Sequence, residues 1–143
     1  MDKEELIGRK VNIFTNRINR KINKEVAKYG ITGIQSMVLG FVYHKSQNRD
    51  VFQKDIEEVF DIRRSSVTSV LQLMEKNGYV ERVSVSEDAR LKKIILTKKG
   101  LEIQKKVHES IIKIEKYLRD ELSDDEMYIL IHLLDRLSKK IAD

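Results

Sequence analysis

The chain opens on a helical pattern. Ile7, Val11, Phe14, Ile18, Ile22, Val26 and Tyr29 follow one another by threes and fours, one face of a helix over roughly residues 3–29. Gly30 is placed to stop it. Thr32 and Gln35 match a capping box that opens "GIQSMVLGFVYHK". That stretch is apolar nearly all round and predicts a buried central helix. A polar loop, "SQNRD", precedes "QKDIEEVFDI", a short third helix with Ile56, Val59, Phe60 and Ile62 at helical spacing. After a brief turn at residues 61–63 comes "RRSSVTSVLQLMEKNG". Its inward stripe is Val67, Val70, Leu71 and Met74, and Gly78 ends it in the left-handed conformation.

The period then changes. "YVERVSV" and "KKIILT" alternate β-branched residues and predict a hairpin, joined by the charged loop "SEDARLK". Beyond Gly100 the helical spacing returns in Ile103, Val107, Ile111, Ile114, Leu118 and Leu122. Ser123 and Glu126 match a second capping box. The last helix carries Met127, Leu130, Leu134, Leu137 and Ile141, a heptad seam, with Ile129, Ile131 and Leu133 widening its apolar side. The expected fold class is mainly α with a small β-hairpin: four helices, the hairpin, two helices, and no internal repeat.

Composition narrows the setting. At 143 residues the chain has the length of one ordinary domain, and its 41% hydrophobic content is too high for a disordered one. It has no proline, which favours long helices, and no cysteine, which excludes disulfides, thiolate zinc sites and thiol redox sensing. The opening "MDKEELIGRK" lacks the apolar core of a signal peptide, and no apolar run approaches the ~18 residues of a membrane span. A cytoplasmic location and no membrane partner are expected. Glycine-rich phosphate loops, G-x-S-x-G and HExxH are absent, so neither an enzyme nor a bound cofactor is expected.

The net charge of +5 is concentrated in residues 61–100, where nine basic residues face five acidic ones. Such a segment suits a polyanion, or is simply a solvated basic surface. The third helix, turn and fourth helix form a helix-turn-helix, whose second helix enters a DNA major groove in proteins that use the motif. Its outward face carries Arg64, Ser65, Thr68, Ser69 and Gln72. Arginine bonds guanine bidentately, glutamine does so with adenine, and short hydroxyls permit close approach. In the loop that follows, Asp88 precedes Arg90 by two residues and can orient its guanidinium towards a minor groove.

"SSVTSVLQLMEKNGYVERVSVSEDARLKKIILTKKG" resembles the MarR family of winged-helix transcriptional regulators. The likeness lies in the Ser/Thr-rich helix, "LMEKNGYVER", "DAR" and "LTKKG", and is specific from about residue 55 to 100. It implies a winged helix-turn-helix flanked by N- and C-terminal dimerisation helices. It also implies a homodimeric regulator on palindromic double-stranded DNA, expected to repress and to be relieved by a ligand. By that resemblance, residues 31–100 bind DNA and residues 1–30 and 101–143 form the dimerisation region. The DNA contacts would be Arg63, Arg64, Ser65, Ser66, Thr68, Ser69, Gln72, Lys76, Asp88, Arg90, Lys92 and Lys93. The dimer contacts would be Ile7, Val11, Phe14, Ile111, Ile114, Leu118, Leu130, Leu134, Leu137 and Ile141. The chain departs from the family habit at Glu57, where a small residue is usual, at Asp61, often glycine, and at Arg63, where a capping Ser, Thr or Asp is common.

Blander readings stand beside these. Phe14, Phe41 and Tyr43 are either plain core or the lining of a cleft for a small aromatic or anionic ligand. His44, His108 and His132 lack an HxxxH pair and read as structural or exposed, although some relatives sense metal through histidines; no metal site is expected. The alternative functions are a helical protein-interaction module and a metal-responsive regulator of the same fold.

Overall fold

The computed structural model describes residues 2, 5–85 and 91–143. Its elements are α1 (Ile7–Ala27), α2 (Gly33–Lys45), α3 (Gln53–Phe60), α4 (Arg64–Lys76), β1 (Val80–Ser84), β2 (Lys92–Leu96), α5 (Lys98–Arg119) and α6 (Asp124–Ile141). The order is the expected one. Contacts divide the chain into two units, Met1–Ser110 and Ile111–Asp143, and α5 belongs to both.

In the first unit, α1 ends before Gly30, which takes a φ of 77°. The Asn23 side chain then accepts the Gly33 N–H at 2.7 Å, tying the start of α2 to α1. The capping box closes as expected. Thr32 Oγ1 accepts the Gln35 N–H at 3.3 Å, and Gln35 Oε1 accepts the Thr32 N–H at 3.0 Å. Val38, Leu39 and Val42 of α2 are buried with Val26, Ile56, Leu71 and Met74, so α2 is the central helix of this unit. Truncating such a side chain to alanine costs ~2–5 kcal/mol.

α3 differs in one respect from its pattern. Ile56 is buried, but Val59, assigned to the same inward face, is exposed. In a helix of eight residues only Ile56 and Phe60, one turn apart, can share the narrow inner face. Asp55 is buried instead, its carboxylate accepting the Phe52 N–H at 2.8 Å and pairing with Arg49 at 3.3 Å.

Asp61 makes the turn between α3 and α4 in the left-handed conformation, φ 51° and ψ 49°. Its N–H and that of Ile62 both reach the Glu57 carbonyl. Arg63 is the N-cap of α4 and makes no side-chain cap bond. At the other end, Gly78 takes a φ of 80°, letting Tyr79 N–H reach Met74 O and Gly78 N–H reach Glu75 O, a Schellman stop.

β1 and β2 pair antiparallel, with Val80 opposite Leu96 and Ser84 opposite Lys92. The hairpin also has a third, very short partner that the pattern did not announce. Phe52 bridges to Lys93, and Ile94 N–H donates to Val51 O at 2.7 Å.

α5 starts at Lys98, so Gly100 lies inside its first turn and not before it. Thr97 explains the early start. Its Oγ1 accepts the Gly100 N–H at 3.0 Å as an N-cap and donates towards the Gly78 and Tyr79 carbonyls, while its N–H bonds Tyr79 O at 3.1 Å. Gly100 is buried against Tyr79, and a Cβ there would stand 3.0 Å from the Tyr79 carbonyl carbon and far closer to its oxygen.

The second unit holds the end of α5 and α6. Leu122, expected on the α5 stripe, lies in the turn after α5 has ended at Arg119. The second capping box is present, with Glu126 N–H on Ser123 Oγ at 3.1 Å and Ser123 N–H on Glu126 Oε1 at 3.0 Å. These bonds hold the Glu126 carboxyl below its ordinary range. No residue of α6 is buried. Among the described residues, no helix is long and apolar enough to cross a membrane.

Candidate nucleic-acid interface

The amphipathic pattern of α4 decides what it shows to solvent. Val67, Leu71 and Met74 are buried, which turns Arg64, Ser65, Ser69, Gln72 and Lys76 outward, with Arg63 and Ser66 also exposed. Thr68 is half-buried and its Oγ1 accepts from Gln53 Nε2 at 2.8 Å. The same Nε2 lies 3.5 Å from the Arg64 carbonyl, so Gln53 of α3 holds the first two turns of α4. Ser69 Oγ donates back to the Ser65 carbonyl at 3.1 Å.

The hairpin is fixed to the far end of α4. Arg82 of β1 meets Glu75 at 2.9 Å, and this bond, opposed by burial and reinforced by the Arg82 and Lys92 charges, holds the Glu75 carboxyl below its usual range. Lys93 pairs with Asp50 at 3.7 Å, whereas Lys92 is exposed. Asp88 and Arg90 lie outside the described residues.

A recess of about 300 Å³ opens between these elements, lined by Phe52, Gln53, Lys54, Glu57, Arg64, Leu91 and Lys92. Arg64 and Lys92 were expected near DNA. Gln53 and Lys54 were not, because nothing local in "QKDIEEVF" tells that α3 begins beside β2.

The aromatic trio takes separate places. Phe41 meets Phe60 edge-on at 5.6 Å between centroids, and Phe14 is exposed on α1. Tyr43 lines a cavity of about 510 Å³ with His44, Gln104, Lys105, His108 and Glu109. The His44 and His108 rings lie 6.0 Å apart, edge to face. His132 stacks on Tyr128 at 5.8 Å. Among the described residues no three histidine, aspartate or glutamate side chains are grouped to hold a metal ion.

The expected dimer contacts differ in exposure. Ile7, Val11, Phe14, Leu130, Leu134, Leu137 and Ile141 are exposed, Ile111 and Leu118 are half-buried, and Ile114 is buried.

A model of the MarR family matches residues 29–91, from just after α1 to just before β2. The MarR regulator of Oenococcus oeni is 26% identical, superposes with a TM-score of 0.81, and covers 94% of this chain and 99% of its own. Over the segment that the family model matches, which is under half of its length, this chain is similar to the MarR family. It is 26% identical over 123 residues to the HTH-type regulator YwoH of Bacillus subtilis, covering 86% of this chain and 87% of that protein. It is 32% identical over 89 residues to PapX of Escherichia coli, 59% of this chain but only 54% of PapX, so the chain spans about half the length of that relative. The MepR–DNA complex of Staphylococcus aureus superposes with a TM-score of 0.90 over 99% of this chain and 100% of its own; at 20% identity that likeness speaks for the fold. These relatives are transcriptional regulators.

Proposed function

We propose that the protein is a homodimeric, sequence-specific DNA-binding repressor relieved by a small-molecule ligand. The observation that carries the reading is the outward face of α4. A guanidinium, three serine hydroxyls and an amide are set over a buried Val67–Leu71–Met74 stripe, beside a hairpin that adds Lys92. Arg64, Ser65, Ser69 and Gln72 read the major groove, with Thr68 at the inner edge of that face. Arg63, Ser66, Lys76, Lys92 and Lys93 serve the phosphates, and Arg90, steered by Asp88, serves the minor groove. MepR and Escherichia coli MarR, both seen with DNA, share this fold at TM-scores of 0.90 and 0.81.

The exposed apolar faces of α1 and α6 support the dimer. Ile7, Val11 and Phe14 on one and Leu130, Leu134, Leu137 and Ile141 on the other are costly in water and match a second copy by two-fold symmetry. Two recognition helices then lie about one turn of DNA apart, roughly 10 bp between half-site centres. Ligand relief is assigned to the cavity of Tyr43, His44 and His108, whose volume falls in the usual range for small molecules. A ligand that prefers a wrongly spaced dimer lowers DNA affinity by its differential affinity for the two states.

The test is fluorescence anisotropy against a random-sequence duplex library and the DNA upstream of the protein's own coding region, in a salt series. A steep loss of affinity with salt and one enriched palindrome are expected. Binding that ignores salt, or none at low salt, overturns the reading in favour of a protein-interaction module.

A further inference from the structure

The cations around the helix-turn-helix fall into two sets. Arg49 pairs with Asp55, Arg82 with Glu75 and Lys93 with Asp50, and Lys99 donates to the Asn77 carbonyl at 2.9 Å. Lys54, Arg63, Arg64, Lys76 and Lys92 make no ion pair among the described residues, and of these Lys54, Arg64 and Lys92 stand together. These three come from α3, α4 and β2, yet they line the same recess of about 300 Å³. One carboxylate, Glu57, shares it with them.

Three like charges around one recess repel each other, and a single carboxylate offsets only part of that repulsion. The remaining positive field is focused in a concave site, where it attracts an anion most strongly. The geometry points to a seat for one phosphate group, with Lys54, Arg64 and Lys92 as its cationic walls and Glu57 as an opposing charge that limits its strength. The inference rests on the DNA-binding reading and deepens it, because the phosphate is one of the duplex backbone. Arg64 is the first residue of α4, so a phosphate held there fixes where the recognition helix enters the groove. Gln53 lines the recess and holds Thr68 and the Arg64 carbonyl, so the seat and the reading face are joined through one side chain. Lys54 and Glu57 thereby acquire roles in DNA binding.

Wild type, Lys54→Gln and Glu57→Gln would be titrated with a random-sequence duplex across a salt series, and each would be melted with and without inorganic phosphate. Circular dichroism would confirm an unchanged fold. Lys54→Gln is expected to weaken duplex binding roughly 3–10-fold, about equally on all sequences, and to lower the salt slope by about one. Glu57→Gln is expected to tighten binding. If wild type binds the duplex and both variants bind like it, the seat is overturned while the DNA reading stands. If wild type binds no duplex, phosphate decides. A melting temperature raised by phosphate in wild type but not in Lys54→Gln keeps the seat with free phosphate as its ligand and removes the DNA reading. No rise in either protein overturns both.

Discussion

Gly100→Ala sets two physical effects against each other. Glycine in a helix is worse than alanine by about 1 kcal/mol, so helix propensity alone makes the substitution stabilising. The packing reverses the sign. The new Cβ would stand 3.0 Å from the Tyr79 carbonyl carbon, 3.4 Å from its Cα, and well inside contact with its oxygen. The obstacle is backbone, which cannot rotate away as a side chain can. α5 must therefore move off Tyr79, and overpacking of this kind costs ~1–3 kcal/mol. The same movement stretches the Thr97 bonds to Tyr79, Gly78 and Gly100, each worth ~0.5–1.5 kcal/mol. With the three stretched bonds counted at about half their value, subtracting the propensity gain leaves a net loss of about 1–4 kcal/mol, a fall of roughly 3–15 °C in melting temperature for a chain of this size. Gly40→Ala is the control. It lies in the interior of α2 with nothing within 4 Å of its added Cβ, so it is expected to gain up to about 1 kcal/mol. Urea denaturation of both variants at one protein concentration gives the comparison. A Gly100→Ala protein as stable as wild type, or more so, refutes the packing argument.

Leu134→Lys on α6 should break the proposed dimer. A buried leucine contributes ~1.5–3 kcal/mol, and two-fold symmetry counts it twice, so the dissociation constant should rise about 10²-fold or more, read by light scattering across a dilution series. Glu75→Gln should cost ~0.2–1 kcal/mol at neutral pH by removing the partner of Arg82. The Glu75 carboxyl is lowered in the fold, so its contribution is present above the ordinary carboxylate range and is lost as pH falls through the folded value. The stability gap between variant and wild type should therefore close in acid; a constant gap would show that packing and not charge is at work. Asp61→Gly relieves a left-handed backbone that costs an ordinary residue ~1–2 kcal/mol. Glycine's larger unfolded-state entropy returns part of this, so a gain of at most about 1 kcal/mol is expected in the same urea assay. Gln72→Ala should change base preference in a binding-site selection more than it changes affinity for random DNA; an equal loss on every sequence would make Gln72 a phosphate contact.

What was legible in the sequence was local. Thr32 with Gln35, and Ser123 with Glu126, specify their own helix starts within four residues. Gly78 announces the end of α4 because few other residues tolerate that φ. The inward stripe of α4 follows from its period, and with it the outward face. The rest depended on pairs far apart in the chain. Nothing near Phe52 says that it will bridge Lys93, and nothing near Gln53 says that its amide will close on Thr68. Asp61 stands where the family often has glycine, and its φ of 51° is one that glycine adopts without strain. Val59 was misplaced because three-and-four spacing in so short a helix does not fix the width of the buried face.

A hydroxyl is ordinarily ambivalent, giving a proton or taking one as its surroundings ask. Two hydroxyls of α4 have had that choice narrowed to different degrees. Thr68 already receives a proton from Gln53, so it keeps its own proton and one lone pair. Ser69 has given its proton to the Ser65 carbonyl, so what it turns outward is lone pairs. In the proposed complex the first can still give its proton to purine N7, guanine O6 or thymine O4, and the second can only accept, as from the amino groups of adenine or cytosine. Neighbouring side chains of nearly the same chemistry thus differ in what they can still offer, one a proton and the other only lone pairs.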